Sequence, residues 1–387
     1  MNTYRDTNFR NKVIYWARKY VIMIINKLKL TNYRNYDNLD INLNEKLNII
    51  IGKNAQGKTN ILESIYVLAL TKSYMSVNDK NLVKFGCNYS IIEGEVKYHD
   101  YLKKFKIKIS DTGKHVLIND KDIKKMSDYI SNLKVIIFSS ENIHMLKEGP
   151  GVRRKFLNME ISQLSLKYVK ILMDYNNIIK QKNEYLKLNN INMDYLSILN
   201  NKIAQLSVEI FLFRKDFIES INKILSDIFF EIMGIDGLKI KYISNIDFYD
   251  NKEIMIDKCI EKLNRYNEKE SLYKISLIGP HRDDFIFVLN DKNVSLHCSQ
   301  GQLRSIVLSL KLAEVQLFSN KTGESPILLL DDIFSELDSE KKNNLIRYIK
   351  DNVQTIITTT DINMIDEKLV KKASVFIINN GKIFPGK

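Results

Sequence analysis

The 387-residue chain has little cysteine, proline or tryptophan: three, four and one residues respectively. Cys87, Cys259 and Cys298 are odd in number and far apart. No CxxC pair or His-rich cluster accompanies them. That argues against a zinc site or a disulfide framework and reads as reduced thiols of a cytosolic protein. Long uncharged apolar runs are also missing. The stretch VIYWARKYVIMIIN at 13–26 is interrupted by Arg18 and Lys19, and no small-residue cleavage site follows it. It predicts neither a membrane span nor a secretory signal. Glycine and proline are absent from 152–233, which predicts long helices there. The heptads in that stretch are not sustained, which argues against a long coiled coil.

What the chain does have is positive charge, with a formal net value of +13. A balance of that size favours polyanionic partners, either nucleic acid or an anionic membrane surface. Heavy use of Lys, Asn and Ile throughout offers a second explanation, a compositional bias without purpose. The length suffices for two or three domains. A strand pattern begins at Met23. Residues 1–22 therefore read as an upstream extension with translation starting at Met23; a genuine basic arm is the alternative.

From 24 to 51 the apolar residues mark strands, with Leu39, Ile41 and Leu43 in strict alternation. KLNIII at 46–51 reads as a buried strand. GKNAQGKT at 52–59 follows at once, and then NILESIYVLAL at helical period. Strand, glycine loop and helix form the context that a phosphate-binding loop requires. Further short strands fill 81–138, with a hairpin at Asp111-Thr112-Gly113. Gly149-Pro150-Gly151 is a breaker. A helical arm occupies the stretch beyond it, a less regular segment runs to about 274, and an α/β pattern returns from SLIGPHRDDFIF onward. The chain reads as an α/β head split by a helical insertion.

Three stretches carry chemistry. In the first, Gly52 and Gly57 let the backbone turn its N–H groups toward a β-phosphate, Lys58 reaches the β- and γ-phosphates, and the Thr59 hydroxyl ligates Mg²⁺. In the second, PILLLDDIFSELD at 326–338, Ile327 to Leu330 form a buried strand and Asp331 emerges at its end to hold Mg²⁺ through water. Asp332 stands next to orient and deprotonate an attacking water. Two acids after a strand can also simply cap a helix. The third is SQGQLRS at 299–305. Ser299 and the backbone of Gly301 can donate to phosphate oxygens, Gln302 can support the turn, and the helix beginning there faces an anion. One active site does not need two phosphate surfaces. In a symmetric head-to-tail pair each such turn would cap the γ-phosphate bound by the other copy. The plainer alternative is a helix start with a serine cap.

These motifs resemble an ABC-type ATPase head of the SMC-like branch, and more closely the RecF family of bacterial DNA replication and repair proteins. The matching stretches are LTNYRNY, IIIGKNAQGKTNILESIYVLALTKS, GPGVRRKFL, GPHRDDF, SQGQLRSIVLSLKLAE, PILLLDDIFSELD and VQTIITTTD, spanning about 23–387. The resemblance implies an α/β fold: an ABC-type P-loop ATPase head, with a β-rich N-lobe and an α/β C-lobe, carrying an inserted α-helical arm. It divides the chain into the extension at 1–22, an N-lobe at 23–148, the arm at 149–272 and a C-lobe at 273–387.

It implies ATP and Mg²⁺ as cofactors, an ATP-dependent homodimer, slow DNA-stimulated hydrolysis, and binding to single-stranded and gapped DNA. It also implies partner recombination-mediator proteins that help load the recombinase, support of the SOS response, and a cytoplasmic location. Gly52, Lys53, Asn54, Ala55, Gln56, Gly57, Lys58 and Thr59 would bind ATP, Asp331 would serve Mg²⁺ and Asp332 would be the base. Ser299, Gly301 and Gln302 would form the signature acting on the second copy. Asp338 would sit in the D-loop between copies, and Thr360 would stand where transporter-type heads carry a switch His. Glu141 lies near the usual Q-loop position. Arg153, Arg154, Arg282 and Arg304 are the DNA-contact candidates.

One departure stands out: the family often continues TKS with a His-Arg pair, and here Tyr74-Met75 follows. Two other functions remain in play. An ABC transporter's ATP-binding subunit fits the strand-rich start but not the long helical insertion or the missing switch His. A structural SMC-like protein would need a longer coiled coil.

Overall fold

The computed structural model describes residues 20–76, 78–98, 101–349 and 353–386. The expected extension falls outside the described residues except for its last three. In chain order the first part forms strands β1 (Val21–Ile22), β2 (Ile24–Tyr33), β3 (Tyr36–Asn42) and β4 (Leu47–Ile51), then helix α1 (Lys58–Leu70). Strands β5 (Tyr89–Tyr98), β6 (Tyr101–Ser110), β7 (Gly113–Ile118), β8 (Lys121–Asp122) and β9 (Val135–Ser139) follow. The middle holds α2 (Pro150–Leu164), α3 (Leu166–Tyr185), α4 (Met193–Met233), β10 (Leu238–Ile243), α5 (Lys252–Arg265), β11 (Asp284–Leu289) and β12 (Lys292–Asn293). The last part is α6 (Gln300–Thr322), β13 (Glu324–Ser325), β14 (Ile327–Asp331), α7 (Ser339–Ile349), β15 (Thr355–Thr359), β16 (Ser374–Asn379) and β17 (Lys382–Pro385).

The chain divides into two compact units. One holds the residues up to Ile143, Glu231–Gly234 and everything from Gln300 onward; the other holds His144–Phe230 and Ile235–Ser299. The first unit contains two six-stranded sheets, ordered β3-β2-β5-β6-β7-β8 and β17-β16-β4-β15-β14-β9. The former is antiparallel throughout, so its residues alternate between a buried and an open face. Leu28, Leu30, Ile92 and Ile107 are buried. In the alternate positions Asp40, Lys29, Glu93 and Lys106 lie in register across four strands. Ion pairs join Lys29 to Asp40 at 3.2 Å and Lys106 to Glu93 at 3.0 Å.

The latter sheet is parallel apart from the edge strand β17. Its central strands are continuous apolar runs, LNIII and ILLLD, as parallel strands covered on both faces must be. Helix α1 contacts β5 and β6 of one sheet and β9, β14 and β15 of the other. Lying between two sheets, it is buried almost all round, and NILESIYVLAL lacks the one-sided stripe of a surface helix.

The second unit packs α2 to α5 with a three-stranded antiparallel sheet, β10-β11-β12. Strand β10 pairs with β11 over six residues, from Leu238 opposite Leu289 to Ile243 opposite Asp284. That pairing puts the boundaries elsewhere than 149 and 272: the unit begins at His144, and residues 273–299, expected with the C-lobe, belong to it. The segment read as less regular contains β10 and α5. Among the described residues, no helix is long and apolar enough to cross a membrane.

Candidate functional site

Parallel pairing brings three strand ends together. Strand β15 lies between β4 and β14, with Thr359 opposite Ile51 and Thr358 opposite Asp331. The glycine loop leaves the carboxyl end of β4, and the acidic pair leaves that of β14, so the register alone sets them side by side. This is the end of a parallel sheet at which ligands bind.

The loop is constrained at both glycines. A Cβ on Gly52 would lie 2.7 Å from the Ile378 carbonyl oxygen. Gly57 has φ 108°, and a Cβ there would lie 2.4 Å from the Asn35 side chain. Ala55 is also left-handed, with φ 63°. The turn before β3 holds the loop in this shape. Asn35 Nδ2 donates to the Gln56 carbonyl at 2.9 Å, and the Tyr36 hydroxyl donates to the Gly57 carbonyl at 3.0 Å. Asn60 Nδ2 donates to Asn35 Oδ1 at 2.8 Å. Asn35, Tyr36 and Asn60 are loop-holding residues that the sequence reading did not single out; for Asn35 and Tyr36 the one signal was the density of NYRNY.

The Lys58 ammonium donates to the carbonyls of Gly52 at 2.6 Å and Lys53 at 3.0 Å. The Thr59 hydroxyl donates to Asp331 Oδ1 at 3.0 Å, and the Thr358 hydroxyl donates to the same oxygen at 2.7 Å. Asp332 takes a left-handed backbone, φ 54°, and its amide donates to Thr358 Oγ1 at 2.9 Å. Its Oδ1 is buried without a hydrogen-bond donor. Burial lowers the Lys58 pKa, against the pull of Asp332 and Asp331. Burial raises the pKa of Asp331, opposed by the Thr358 and Thr59 hydroxyls, and raises that of Asp332, opposed by Lys58 and the Thr360 backbone. Thr360 thus stands beside Asp332.

These groups fit a magnesium–nucleotide triphosphate. Left-handed loop residues and the start of α1 offer backbone N–H groups to phosphate. The Thr59 hydroxyl and the Asp331 carboxylate form a small oxygen donor set. Among the described residues, no group of three or more His, Cys, Asp or Glu side chains could form a metal cage. A hard cation that keeps several waters and takes the rest of its ligands from phosphate suits such a set.

The third motif lies at the same end of the sheet but not in the same place. Phe138, Ser139 and Ile143, at and beyond the carboxyl end of β9, line one pocket with Arg304 and Val307 of α6. The N-terminal part of α6 is therefore seated beside β9, the edge strand. Three strand spacings, about 14 Å, separate β9 from β4. Ser299 and Gly301 are exposed, and space is open around the Gly301 Cα. Gln302 is half-buried in the first turn of α6. Asp338 is exposed and caps α7, accepting from the Lys341 amide at 2.9 Å and pairing with its ammonium at 2.6 Å. Glu141 lies in the short turn that follows β9.

Over residues 24–383 the chain matches the family model for the RecF/RecN/SMC N terminal domain. It is 39% identical over 366 residues to the DNA replication and repair protein RecF of Macrococcus caseolyticus (strain JCSC5402), covering 93% of this chain and 99% of that protein. The chain belongs to the RecF family. RecF of Ligilactobacillus salivarius (strain UCC118) is 38% identical over 93% of this chain and 97% of that protein. A solved structure of the recombination mediator protein RecF with ATP, in the RecFOR pathway, superposes with a TM-score of 0.89 at 29% identity, covering 96% of this chain and 99% of that one. An Smc head domain from Pyrococcus furiosus matches with a TM-score of 0.52 at 15% identity, covering 95% of this chain and 97% of that one, which shows the shared head fold.

The RecF relationship covers nearly the whole chain and favours neither the transporter subunit nor the structural SMC-like protein. Where a RecF His-Arg pair was expected, the Met75 side chain is half exposed, and the Tyr74 hydroxyl is buried. The four arginine candidates already have partners within the chain. Arg153 makes a bidentate pair with Asp284, at 2.6 and 2.9 Å. Arg154 donates to the Asp283 carbonyl at 2.8 Å, and Arg282 to the Ser276 carbonyl at 2.8 and 3.2 Å. Arg304 lies 3.5 Å from Glu336.

Proposed function

We propose that this chain is an ATP-dependent DNA-binding protein of recombinational repair and replication. Two copies pair on ATP, bind single-stranded or gapped DNA and help partner recombination mediators load the recombinase in the cytoplasm, with a part in the SOS response. ATP hydrolysis is slow and acts as the switch that releases the pair. The family, and the RecF–ATP structure among its relatives, support the nucleotide and the pathway.

The observation that carries the paired arrangement is the placement of α6. Its first turns lie beside β9 at the ligand-binding end of the sheet, and β9 is about 14 Å from β4, the strand that leads into the phosphate loop. At its start, Ser299 and Gly301 are exposed, and none of the hydrogen bonds of the phosphate loop reaches them. Two copies related head to tail bring each Ser299 turn onto the other's nucleotide. Within one copy Lys58 and the loop amides bind phosphate, Thr59 and Asp331 hold Mg²⁺, and Asp332 accepts a proton from water. Bound Mg²⁺ would supply charge neutralisation on the phosphate oxygens.

Sedimentation velocity with labelled gapped DNA, with and without ATP, tests this on wild type and Ser299→Arg. ATP is expected to drive wild type to a DNA-bound dimer, while the variant stays monomeric and still binds a fluorescent ATP analogue. A wild type that remains monomeric with ATP and DNA would overturn the reading.

A further inference from the structure

The segment after α1 is tied to that helix by a buried acid. Glu63 is fully buried. Its carboxylate accepts from the Tyr33 hydroxyl at 3.0 Å, from Arg34 Nε at 2.8 Å, and from Arg34 Nη2 and the Ser73 hydroxyl. Ser73 Oγ in turn accepts the amides of Met75 at 2.9 Å and Ser76 at 2.8 Å. The backbone on the far side of Tyr74 is therefore fixed through Ser73 to α1. The Tyr74 ring packs edge-on against Tyr66 of the same helix, with centroids 5.2 Å apart and an interplanar angle of 80°.

Everything about this residue is anchored except its hydroxyl, which is shielded from solvent and lies beside the Asp331 carboxylate without a hydrogen bond of ordinary geometry. A buried hydroxyl without a partner forfeits the hydrogen bonds that it made to water in the unfolded chain. Burial and the nearby Asp331 and Glu63 carboxylates all raise its pKa, so it stays a neutral phenol and a donor. Glu63 is already filled by three side chains. Asp331 has the vacancy: the Thr59 and Thr358 hydroxyls both use its Oδ1.

We propose that Tyr74 is a positioning residue for Asp331, its phenol donating to the carboxylate oxygen that Thr59 and Thr358 leave open and so fixing the carboxylate for the metal–nucleotide. This rests on the reading of Asp331 as the Mg²⁺-serving acid. Groups that orient a metal-binding carboxylate change metal affinity strongly, by tenfold or more in known sites. Metal-free nucleotide affinity, which Lys58 and the loop amides supply, does not depend on this contact.

The test is equilibrium binding of a fluorescent ATP analogue to the full chain, in EDTA and over a Mg²⁺ series. Tyr74→Phe keeps the ring and removes the donor. It is expected to leave affinity in EDTA within about twofold and to raise the half-saturating Mg²⁺ concentration by about tenfold. A Mg²⁺ dependence equal to wild type, or an equal loss in EDTA, would overturn the proposal. Asp331→Asn separates the two levels of the argument. If Mg²⁺ still enhances binding in Asp331→Asn as in wild type, the reading of Asp331 fails and the proposal with it. If the enhancement is lost, Tyr74→Phe added to Asp331→Asn should change nothing further; an additional loss would show that Tyr74 does not act through Asp331.

Discussion

Single residues in the site are held in conditions unfavourable to their own charge. Asp332 is the sharpest case. It sits just past the end of β14 in a left-handed conformation that a non-glycine residue rarely adopts, with one buried carboxylate oxygen lacking a donor. Burial raises its pKa from the ordinary aspartate value, against the pull of Lys58, which makes it a stronger base toward water. Asp332→Asn keeps the shape and removes the base. We expect nucleotide binding and ATP-dependent pairing to persist while single-turnover hydrolysis falls by about 10²-fold or more. Hydrolysis of radiolabelled ATP checks the rate, and normal turnover in the variant would exclude Asp332 as the base. The neighbouring Asp331 differs in kind: its Oδ1 accepts two hydroxyls, which suits a carboxylate that must keep one orientation. On the proposed reading, two adjacent acids would divide holding from proton transfer by their surroundings rather than by their chemistry.

At the scale of elements, some of the arrangement was legible and some was not. Strand, glycine loop and helix over 46–70 could be read because glycine placement and hydrophobic period are local. The hairpin joining β6 and β7 was legible for the same reason. What escaped was long-range. Nothing in NYRNY says that Asn35 and Tyr36 will grip a loop 21 residues on. Strand β10 was passed over although LKIKYI alternates apolar and polar, because reading GPHRDDF with the head hid its partner β11. The structure instead makes GPHRDDF part of the second unit, with Asp283 and Phe285 in its interior and Arg282 exposed. Asp283 receives the Tyr242 and Ser244 hydroxyls, the latter at 3.0 Å, and lies 3.4 Å from the buried Arg214 guanidinium. His281 joins the Tyr175 hydroxyl through Nδ1 at 2.5 Å and the Ser276 carbonyl through Nε2 at 3.1 Å. Donation from Nε2–H to that carbonyl makes Nδ1 the acceptor, a neutral imidazole.

Burial, with Arg282, Arg154 and Lys182 adding to it, lowers the His281 pKa from 6.5 to about 4. The unfolded chain therefore binds the extra proton first as pH falls. The stability from keeping this ring neutral is complete above about pH 6.5 and is lost between there and pH 4, by at most about 3 kcal/mol. The thermal midpoint of the full chain should fall more steeply between pH 7 and 5 for wild type than for His281→Gln. Parallel profiles would rule out His281 as the titrating group.

For the whole molecule, a formal charge of +13 does not by itself make a DNA-binding face. On the open face of the antiparallel sheet, Asp40, Lys29, Glu93 and Lys106 alternate in sign along one row, which leaves little net field there. The arginine candidates are also unequal. Arg153 is mostly buried and bound on both arms by Asp284, so its charge is cancelled where it stands. Arg282 is exposed and donates to a carbonyl, so its charge remains for a phosphate. If DNA binding is chiefly to phosphates, affinity falls linearly with salt on logarithmic axes, and each lost phosphate contact reduces the slope by about 1. Arg282→Ala should therefore retain the wild-type melting temperature and lower the slope for gapped DNA in the presence of ATP. Arg153→Ala should do the reverse, destabilising by about 3 kcal/mol because Asp284 is left unpaired, with the slope unchanged. Salt titrations by fluorescence anisotropy, alongside melting curves, separate the two roles. An Arg153→Ala variant that melts like wild type and loses slope would mean that its pair with Asp284 opens for DNA, and the phosphate surface would then have to be redrawn around α2.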